Sequence, residues 1–169
     1  MLIFLYGEDT FRSQKHLGRL VQKFKKDKDP QGLNIAILDC HEAKDVLGQV
    51  LASPFLAERR LVVVKNLLAG KDADLQEEFL GLLKNKKISE INIVVFWEGT
   101  GEFKKATKLV KEIVHYLQKE KYCQKFDELK GLELYNWIET QVKEKGGEIE
   151  RDAISFLAAE TKEDMWQIN

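Results

Sequence analysis

The chain has 169 residues, of which 44% are apolar and 33% charged, and this composition supports a packed core and excludes a disordered chain. The formal net charge is −1, so no overall field directs the protein to nucleic acid or to a membrane. Two cysteines are too few for a disulfide framework, and no apolar run approaches the length of a membrane span. We therefore expect a cytoplasmic protein with one large domain, or with a domain of roughly 130 residues and a smaller appendage.

The first three quarters of the chain alternate short apolar runs with amphipathic helical segments. The runs that predict buried strands are 1–6, 33–38, 61–64, 91–97 and a short one at 122–126. The segments with helical periodicity are one that begins at Asp9 or Thr10 and ends before the turn at 29–32, and then 42–52, 72–84 and 103–117. This alternation predicts an α/β domain with a parallel five-stranded sheet and helices on both faces.

Beyond a boundary near 127–131 the sequence contains only helix signals. Helices are predicted from Leu132 to the glycine pair 146–147, over 153–160, and from Asp164 to the last residue. The last helical stripe contains Trp166 and is cut off at Asn169, which is a poor end for a native domain. We expect an α/β domain at 1–128 and an incomplete helical domain at 129–169 of a longer protein.

The charges are unevenly distributed along the chain. Residues 12–28 carry seven Lys or Arg against one Asp, and residues 103–125 carry seven Lys against two Glu. Residues 131–169 carry nine acids against four bases. This pattern predicts two basic helical faces on the first domain and an acidic second domain, and solvated helix faces are the simplest interpretation.

A phosphate-binding loop is the first function to test in such a sheet, and the sequence lacks it. The first strand is followed by "GEDTFRSQK", which has one glycine and no Gly-Lys-Ser or Gly-Lys-Thr. Glu8 and Asp9 stand where the phosphates would bind, and their carboxylates would repel them. The third strand ends in Lys65-Asn66 rather than in the acids that hold magnesium. We predict no ATP hydrolysis, no cofactor and no metal.

The sequence also lacks the residues of a phosphate-receiver domain, a metal site or a catalytic site. A phosphate-receiver domain could use Glu8 and Asp9, but it needs an aspartate at the end of the third strand, where Lys65-Asn66 stands. Cys40-His41 lacks a second ligand pair at useful spacing, and the three histidines lie on different elements. We predict no catalytic site.

The unusual feature is the connection "SPFLAERR" at residues 53–60. A loop between a helix and a strand is normally polar, yet here Pro54 presents Phe55 and Leu56, and charged residues follow. Two interpretations stand at this point. Phe55 either packs beneath its own helix as a small satellite of the core, or forms an exposed binding surface.

Four segments in this order resemble the delta subunit of the bacterial DNA polymerase III clamp loader. They are "LIFLYGEDTFRS", "SPFLAERRLVVVKNL", "INIVVFWE" and "GLELYNWIETQVKEKGGEIERDAISFLAAET…DMWQIN", and together they cover almost the whole chain. The resemblance implies an AAA+-like α/β domain without a nucleotide site, followed by a helical lid. It also implies a subunit without catalytic activity of its own, and a collar domain, absent from this chain, that assembles the five-subunit loader.

The resemblance further implies a partner and a site. Family members bind the ring-shaped sliding clamp (the beta subunit) through a pair of large apolar residues before the third strand, and open it for loading on primed DNA during DNA replication. Phe55 matches this position best, with either Leu56 or Pro54 as its partner. Arg59 and Arg60 would flank the contact. Val50 and Leu51 would support the loop as core residues.

The partners expected from the resemblance are therefore the clamp, the other loader subunits and primed DNA, the last mainly in the assembled complex. The fragment itself is expected to be monomeric, without contact to a membrane. Two alternatives remain at this stage: a nucleotide-binding AAA+ ATPase, and a protein that binds DNA through the basic faces at 12–28 and 103–125. These faces lack interleaved exposed aromatic residues, so at most a weak, salt-sensitive DNA contact is expected.

Overall fold

The computed structural model describes residues 1–101, 103, 105–161 and 164–169. Lys104 of the second basic segment, and Lys162 and Glu163 of the acidic segment, lie outside the described residues. Within the described part, the strands are β1 (Leu2–Tyr6), β2 (Ile35–Asp39), β3 (Arg60–Lys65), β4 (Asn92–Glu98) and β5 (Tyr122–Lys125). The helices there are α1 (Thr10–Lys28), α2 (Val46–Leu51), α3 (Ala73–Lys84), α4 (Lys108–Gln118), α5 (Leu132–Glu144), α6 (Arg151–Glu160) and α7 (Met165–Ile168). No helix among the described residues is long and apolar enough to cross a membrane.

The described residues divide into two compact units, Met1–Phe126 and Asp127–Asn169. In the first unit all five strands of the described chain form one parallel sheet in the order β2-β3-β4-β1-β5. This observation confirms the predicted α/β fold class. The three central strands β1, β3 and β4 are apolar on both sides because helices cover both faces of the sheet, whereas the edge strand β5 is largely exposed.

Each face of the sheet has its own core. On one face α1 packs through Leu17 and Phe24 against side chains of β1, β3 and β4. On the other face α2, α3 and α4 pack against the alternate residues of the same strands, with Phe79 and Ile113 fully buried. The period-two alternation of a strand assigns successive residues to opposite cores.

Two helices begin later than the sequence pattern indicated. The segment predicted at 42–52 is helical only from Val46, because the Asp45 carboxylate accepts the N–H of Gly48 and caps the helix there. The helix predicted from Phe103 begins at Lys108, where Thr107 provides the same kind of cap through Val110 N–H. Apolar periodicity extends through the preceding turns, so it overestimates both helices.

The second unit is a small helical assembly. Its core contains Leu134 and Ile138 of α5 and Ile154 and Ala158 of α6. Met165 of α7 is buried as well. Helix α5 ends at Glu144 with Lys145 as its C-cap, and Gly146 follows with a positive φ of 83°. The interpretation of this unit as an incomplete lid domain stays a prediction.

Candidate docking site

The loop after β1 lies where open parallel sheets commonly bind phosphate. Asp9 is buried there, and its carboxylate accepts the backbone N–H of Arg12 at 2.8 Å, so the chain's own negative charge caps α1. The loop is also closely packed. A Cβ on Gly7 would lie 2.1 Å from the carbonyl oxygen of Phe126. The N-terminus of α1 is therefore occupied by a carboxylate in a tightly packed loop.

A second carboxylate is buried at the same edge of the sheet. Glu98 Oε1, at the end of β4, accepts the Leu68 N–H at 2.8 Å. Burial raises the pKa of Glu98 to about 7, and the Asp39 carboxylate acts in the same direction. Burial and these two acids raise the pKa of the Cys40 thiol to about 12, so the reactive thiolate is suppressed. Among the described residues no group of three or more His, Cys, Asp or Glu is arranged to hold a metal ion.

The opposite edge of the sheet, where the chain enters β2, β3 and β4, exposes apolar side chains. These strands are adjacent and parallel, so the segments that precede them lie along one edge. The exposed large apolar residues of this edge are Leu33, Leu51, Phe55, Leu56 and Ile91. Phe55 is 60% exposed and Leu56 is 92% exposed, so the alternative in which Phe55 packs beneath its own helix is wrong. Several exposed apolar residues on one edge are typical of an interaction surface.

A buried asparagine holds the loop that carries these residues. Asn34 is 2% exposed, and its side-chain amide bonds to both backbone groups of Phe55. Asn34 Oδ1 accepts the Phe55 N–H at 2.6 Å, and Asn34 Nδ2 donates to the Phe55 carbonyl at 3.0 Å. The backbone of Asn34 is fixed in turn, because its N–H donates to Asp29 Oδ2 and its carbonyl accepts from Leu61. The Phe55 backbone is therefore fixed while its side chain faces solvent.

A second buried asparagine fixes the start of the loop. Asn92, the first residue of β4, donates from Nδ2 to the carbonyls of Val50 and Ala52 at 3.0 and 2.9 Å. Leu56 at the tip has a φ of +50°, a conformation that costs a leucine about 1 kcal/mol. The loop is thus anchored at 50–52 and at Phe55, and strained at its most exposed residue.

The other three residues predicted for this site have different surroundings in the structure. Pro54 is half-buried and Arg59 is exposed. Burial and the Arg59 guanidinium lower the pKa of the Met1 amino group, so Arg59 lies near the start of β1. Arg60 is turned back toward α2, where its Nη2 donates to Gln49 Oε1 at 2.5 Å.

The two residues expected to support the loop differ in burial. Val50 is fully buried and belongs to the core, as expected. Leu51 is exposed, so its predicted role as a core residue is wrong. The helical stripe assigned both residues to one face, but α2 ends at Leu51, where the chain leaves the protein interior.

The sequence reasoning missed Asn34 and Asn92. Both occupy the same place in a repeated pattern, "LNIAIL" before β2 and "INIVVF" at β4. Asparagine is depleted in strands, so an amide within an apolar run is the signal of a buried group with dedicated partners. Finding those partners requires knowledge of which loop lies beside which strand.

Solved structures with the same architecture define the class of protein. The Bacillus subtilis DNA clamp loader delta protein is similar over 99% of this chain and 50% of its own, with a TM-score of 0.64 and 20% identity. AMPPCP-bound DnaA from Aquifex aeolicus matches 98% of this chain and 52% of its own, with a TM-score of 0.59 and 13% identity. A RuvB variant from Thermotoga maritima matches 92% of this chain and 48% of its own, with a TM-score of 0.53 and 14% identity. The fold is AAA+-like, as predicted.

The sequence identifies the family within this class. The family model described as DNA polymerase III, delta subunit matches residues 3–125. DNA polymerase III subunit delta of Bacillus subtilis (strain 168) is 32% identical in an alignment of 120 positions that covers 64% of this chain and 34% of the relative. The chain belongs to the DNA polymerase III delta subunit family. It spans about a third of that curated relative and half of the Bacillus subtilis structure.

Proposed function

We propose that this chain is the part of a clamp-loader delta subunit that binds the sliding clamp and opens it for loading on primed DNA during replication. Membership of the delta subunit family supports the proposal, and so does the fold shared with the Bacillus subtilis DNA clamp loader delta protein. The observation that carries it is the exposed Phe55–Leu56 pair on a loop that two buried asparagines hold in place.

The geometry of the loop suits a docking element. An aromatic anchor that fills a pocket of its partner can contribute 2 kcal/mol or more of binding free energy, on the order of a 30-fold change in Kd. Because Asn34 and Asn92 already order the loop, little conformational entropy is lost on binding. Opening the ring requires only that the open clamp be bound more tightly than the closed clamp, by at least the free energy that opening costs.

The proposed role includes no catalysis by this chain. The carboxylates of Asp9 and Glu98 stand at the sheet edge where a nucleotide would bind in an AAA+ ATPase. A phosphate brought there would meet the Asp9 carboxylate, which already pairs with Arg12 at the start of α1, rather than a lysine and a row of N–H groups. This arrangement favours a clamp-binding subunit over the alternative of an ATPase.

DNA is proposed as a partner of the assembled loader rather than of this chain alone. Six Lys or Arg side chains of α1 are exposed: Lys15, Arg19, Lys23, Lys25, Lys26 and Lys28. Such a face attracts phosphates without reading sequence, and its contacts weaken as salt is added. Other loader subunits are proposed as partners through the collar domain that the family resemblance implies.

The test is a binding measurement with the sliding clamp of the same organism. The double variant Phe55→Ala/Leu56→Ala should weaken clamp binding at least about 30-fold, because it removes the anchor and its neighbour. Calorimetry gives the Kd, and circular dichroism checks the fold. Phe156→Ala is the matched control, since Phe156 is equally exposed, at 69%, but lies on α6 of the second unit. Binding within twofold of the parent protein would overturn the site assignment.

A further inference from the structure

Asn34 contacts the proposed docking loop in a way that ordinary strand packing does not require. Its side chain bonds to both the N–H and the carbonyl of Phe55, 21 residues away, and copies the pair of bonds that a neighbouring strand would make. Phe55 lies outside β3, so no strand provides those bonds. A buried amide is thus dedicated to the one residue whose side chain is the proposed anchor.

We infer that Asn34 is a positioning residue for clamp binding: it holds the Phe55 backbone in the docking conformation before the partner arrives. The inference rests on the proposed function for its partner, but the geometry stands on its own. Asn34 is itself immobilised from two directions, through Asp29 at the end of α1 and Leu61 in β3. Its amide therefore ties the Phe55 backbone to the body of the sheet.

The tip of the loop shows why such a residue is needed. Leu56 is 92% exposed and has a φ of +50°, a conformation that a free loop would leave. The ion pair between Lys28 and Glu58 spans 3.8 Å and is exposed, so it restrains the loop only weakly. The bonds from Asn34 to Phe55, directly before the strained residue, are the firm restraint.

The first experiment measures hydrogen exchange at the Phe55 amide in the free protein by NMR, which needs no partner. Although the Phe55 side chain is exposed, the amide should exchange at least about tenfold more slowly than in an unstructured chain, because it donates to Asn34 Oδ1. Asn34→Ala should remove this protection. An amide in the parent protein that exchanges at the unstructured rate would overturn the inference, even if Asn34→Ala failed to fold.

The second experiment measures clamp binding in a double-mutant cycle. Asn34→Ala should weaken Kd about tenfold when Phe55 is present, and by less than twofold when it is added to Phe55→Ala, because it acts through that residue. Asn85→Ala is the matched control, since it also removes an amide-to-carbonyl bond, at the exposed end of α3. Equal losses with and without Phe55 would indicate a general structural role and overturn the inference.

The two experiments separate the inference from the proposed function. If the parent protein does not bind the clamp while the Phe55 amide is protected, the proposed function fails and the loop geometry stands. If the clamp binds through Phe55 but Asn34→Ala binds as tightly as the parent, the proposed function stands and the positioning role fails.

Discussion

Leu56 combines two features that folding alone disfavours. Its side chain is 92% exposed, so it gains almost nothing from burial, and its φ of +50° places a branched residue in the left-handed region. Asparagine or glycine would adopt this conformation at lower cost. A residue that weakens the free protein in two ways is a candidate for a role that is fulfilled only in a complex.

Replacing Leu56 should separate stability from binding. Leu56→Asn should raise the free energy of unfolding by about 1 kcal/mol, because asparagine tolerates the left-handed conformation. The same change should weaken clamp binding about tenfold, because it removes an apolar contact. Urea denaturation and calorimetry measure the two effects. Lys86→Asn is the control for backbone strain, since Lys86 also has a φ of +50° and is not one of the exposed apolar residues of the docking edge.

Two outcomes would contradict this prediction. A Leu56→Asn variant that is less stable than the parent protein would show that the positive φ stores no strain. A variant that binds the clamp unchanged would remove Leu56 from the docking surface and leave Pro54 as the partner of Phe55. Lys86→Asn should gain stability without any change in binding.

At the level of single residues, the sequence predicts which side chains are exposed better than it predicts which groups they contact. Pro54, Phe55 and Leu56 were recognisable because three apolar residues in a connection contradict ordinary loop composition. Asn34 was not recognisable, because its partner is 21 residues away and their meeting depends on the pairing of β2 with β3.

Among the elements, strands were predicted more accurately than helix starts. A continuous apolar run such as 91–97 fits a buried parallel strand better than any other structure. The observed strand β4 extends over Asn92–Glu98. Helix starts depend on capping carboxylates and hydroxyls, such as those of Asp45 and Thr107. Apolar periodicity does not detect them, because a turn that packs on the core can carry the same pattern.

Glu98 connects two elements through a buried carboxylate. It ends β4, and its Oε1 accepts the N–H of Leu68 from the turn that follows β3. Its Oε2 is buried and has no hydrogen-bond partner among the described residues. A protonated carboxyl suits this environment better than a charged one, because burial disfavours the charge and no described residue donates a hydrogen bond to Oε2.

The stability of the protein should therefore depend on pH through Glu98. Its pKa rises from an ordinary value of 4.5 in the unfolded chain to about 7 in the folded protein, so the folded state binds the proton more tightly. The resulting stabilisation is present below pH 4.5 and is lost as pH rises through 7, a change on the order of 3 kcal/mol. Glu98→Gln cannot titrate and should lack this component.

The measurement is the unfolding free energy of the parent protein and of Glu98→Gln in urea, from pH 4 to pH 8. The difference between the two proteins isolates Glu98, because all other groups titrate in both. The unfolding free energy of the parent protein minus that of Glu98→Gln should decline as pH rises. A constant difference caused by the amide does not change this slope. Parallel pH curves would show that the pKa of Glu98 is the same in the folded and the unfolded protein.

In the molecule as a whole, the two edges of the sheet differ in chemistry. The edge at the ends of the strands carries buried acids, among them Asp9 and Glu98, and the loops there bond to their own chain. The edge at the starts of β2, β3 and β4 exposes large apolar side chains. The exposed apolar residues of this second edge are the feature that supports the proposed docking role.

We expect the first unit to be sufficient for the proposed interaction. Phe55, Leu56 and the asparagines that hold their loop belong to the first unit, which also contains both cores of the sheet. A chain that ends at residue 128 should therefore unfold cooperatively and bind the clamp within about threefold of the full chain, because it retains the entire docking edge. Thermal unfolding followed by circular dichroism and calorimetry with the clamp measure the two properties.

Phe55→Ala in the shortened chain completes this experiment, since it should weaken clamp binding by the same factor as in the full chain. Equal factors mean that Phe55 makes the same contact without the second unit, as expected of an anchor within one body. A shortened chain that folds but binds more than tenfold more weakly would assign part of the clamp contact to the helices beyond Asp127. The exposed Phe156 of α6 would then be the first residue to test, and its use as a control for Phe55 would end.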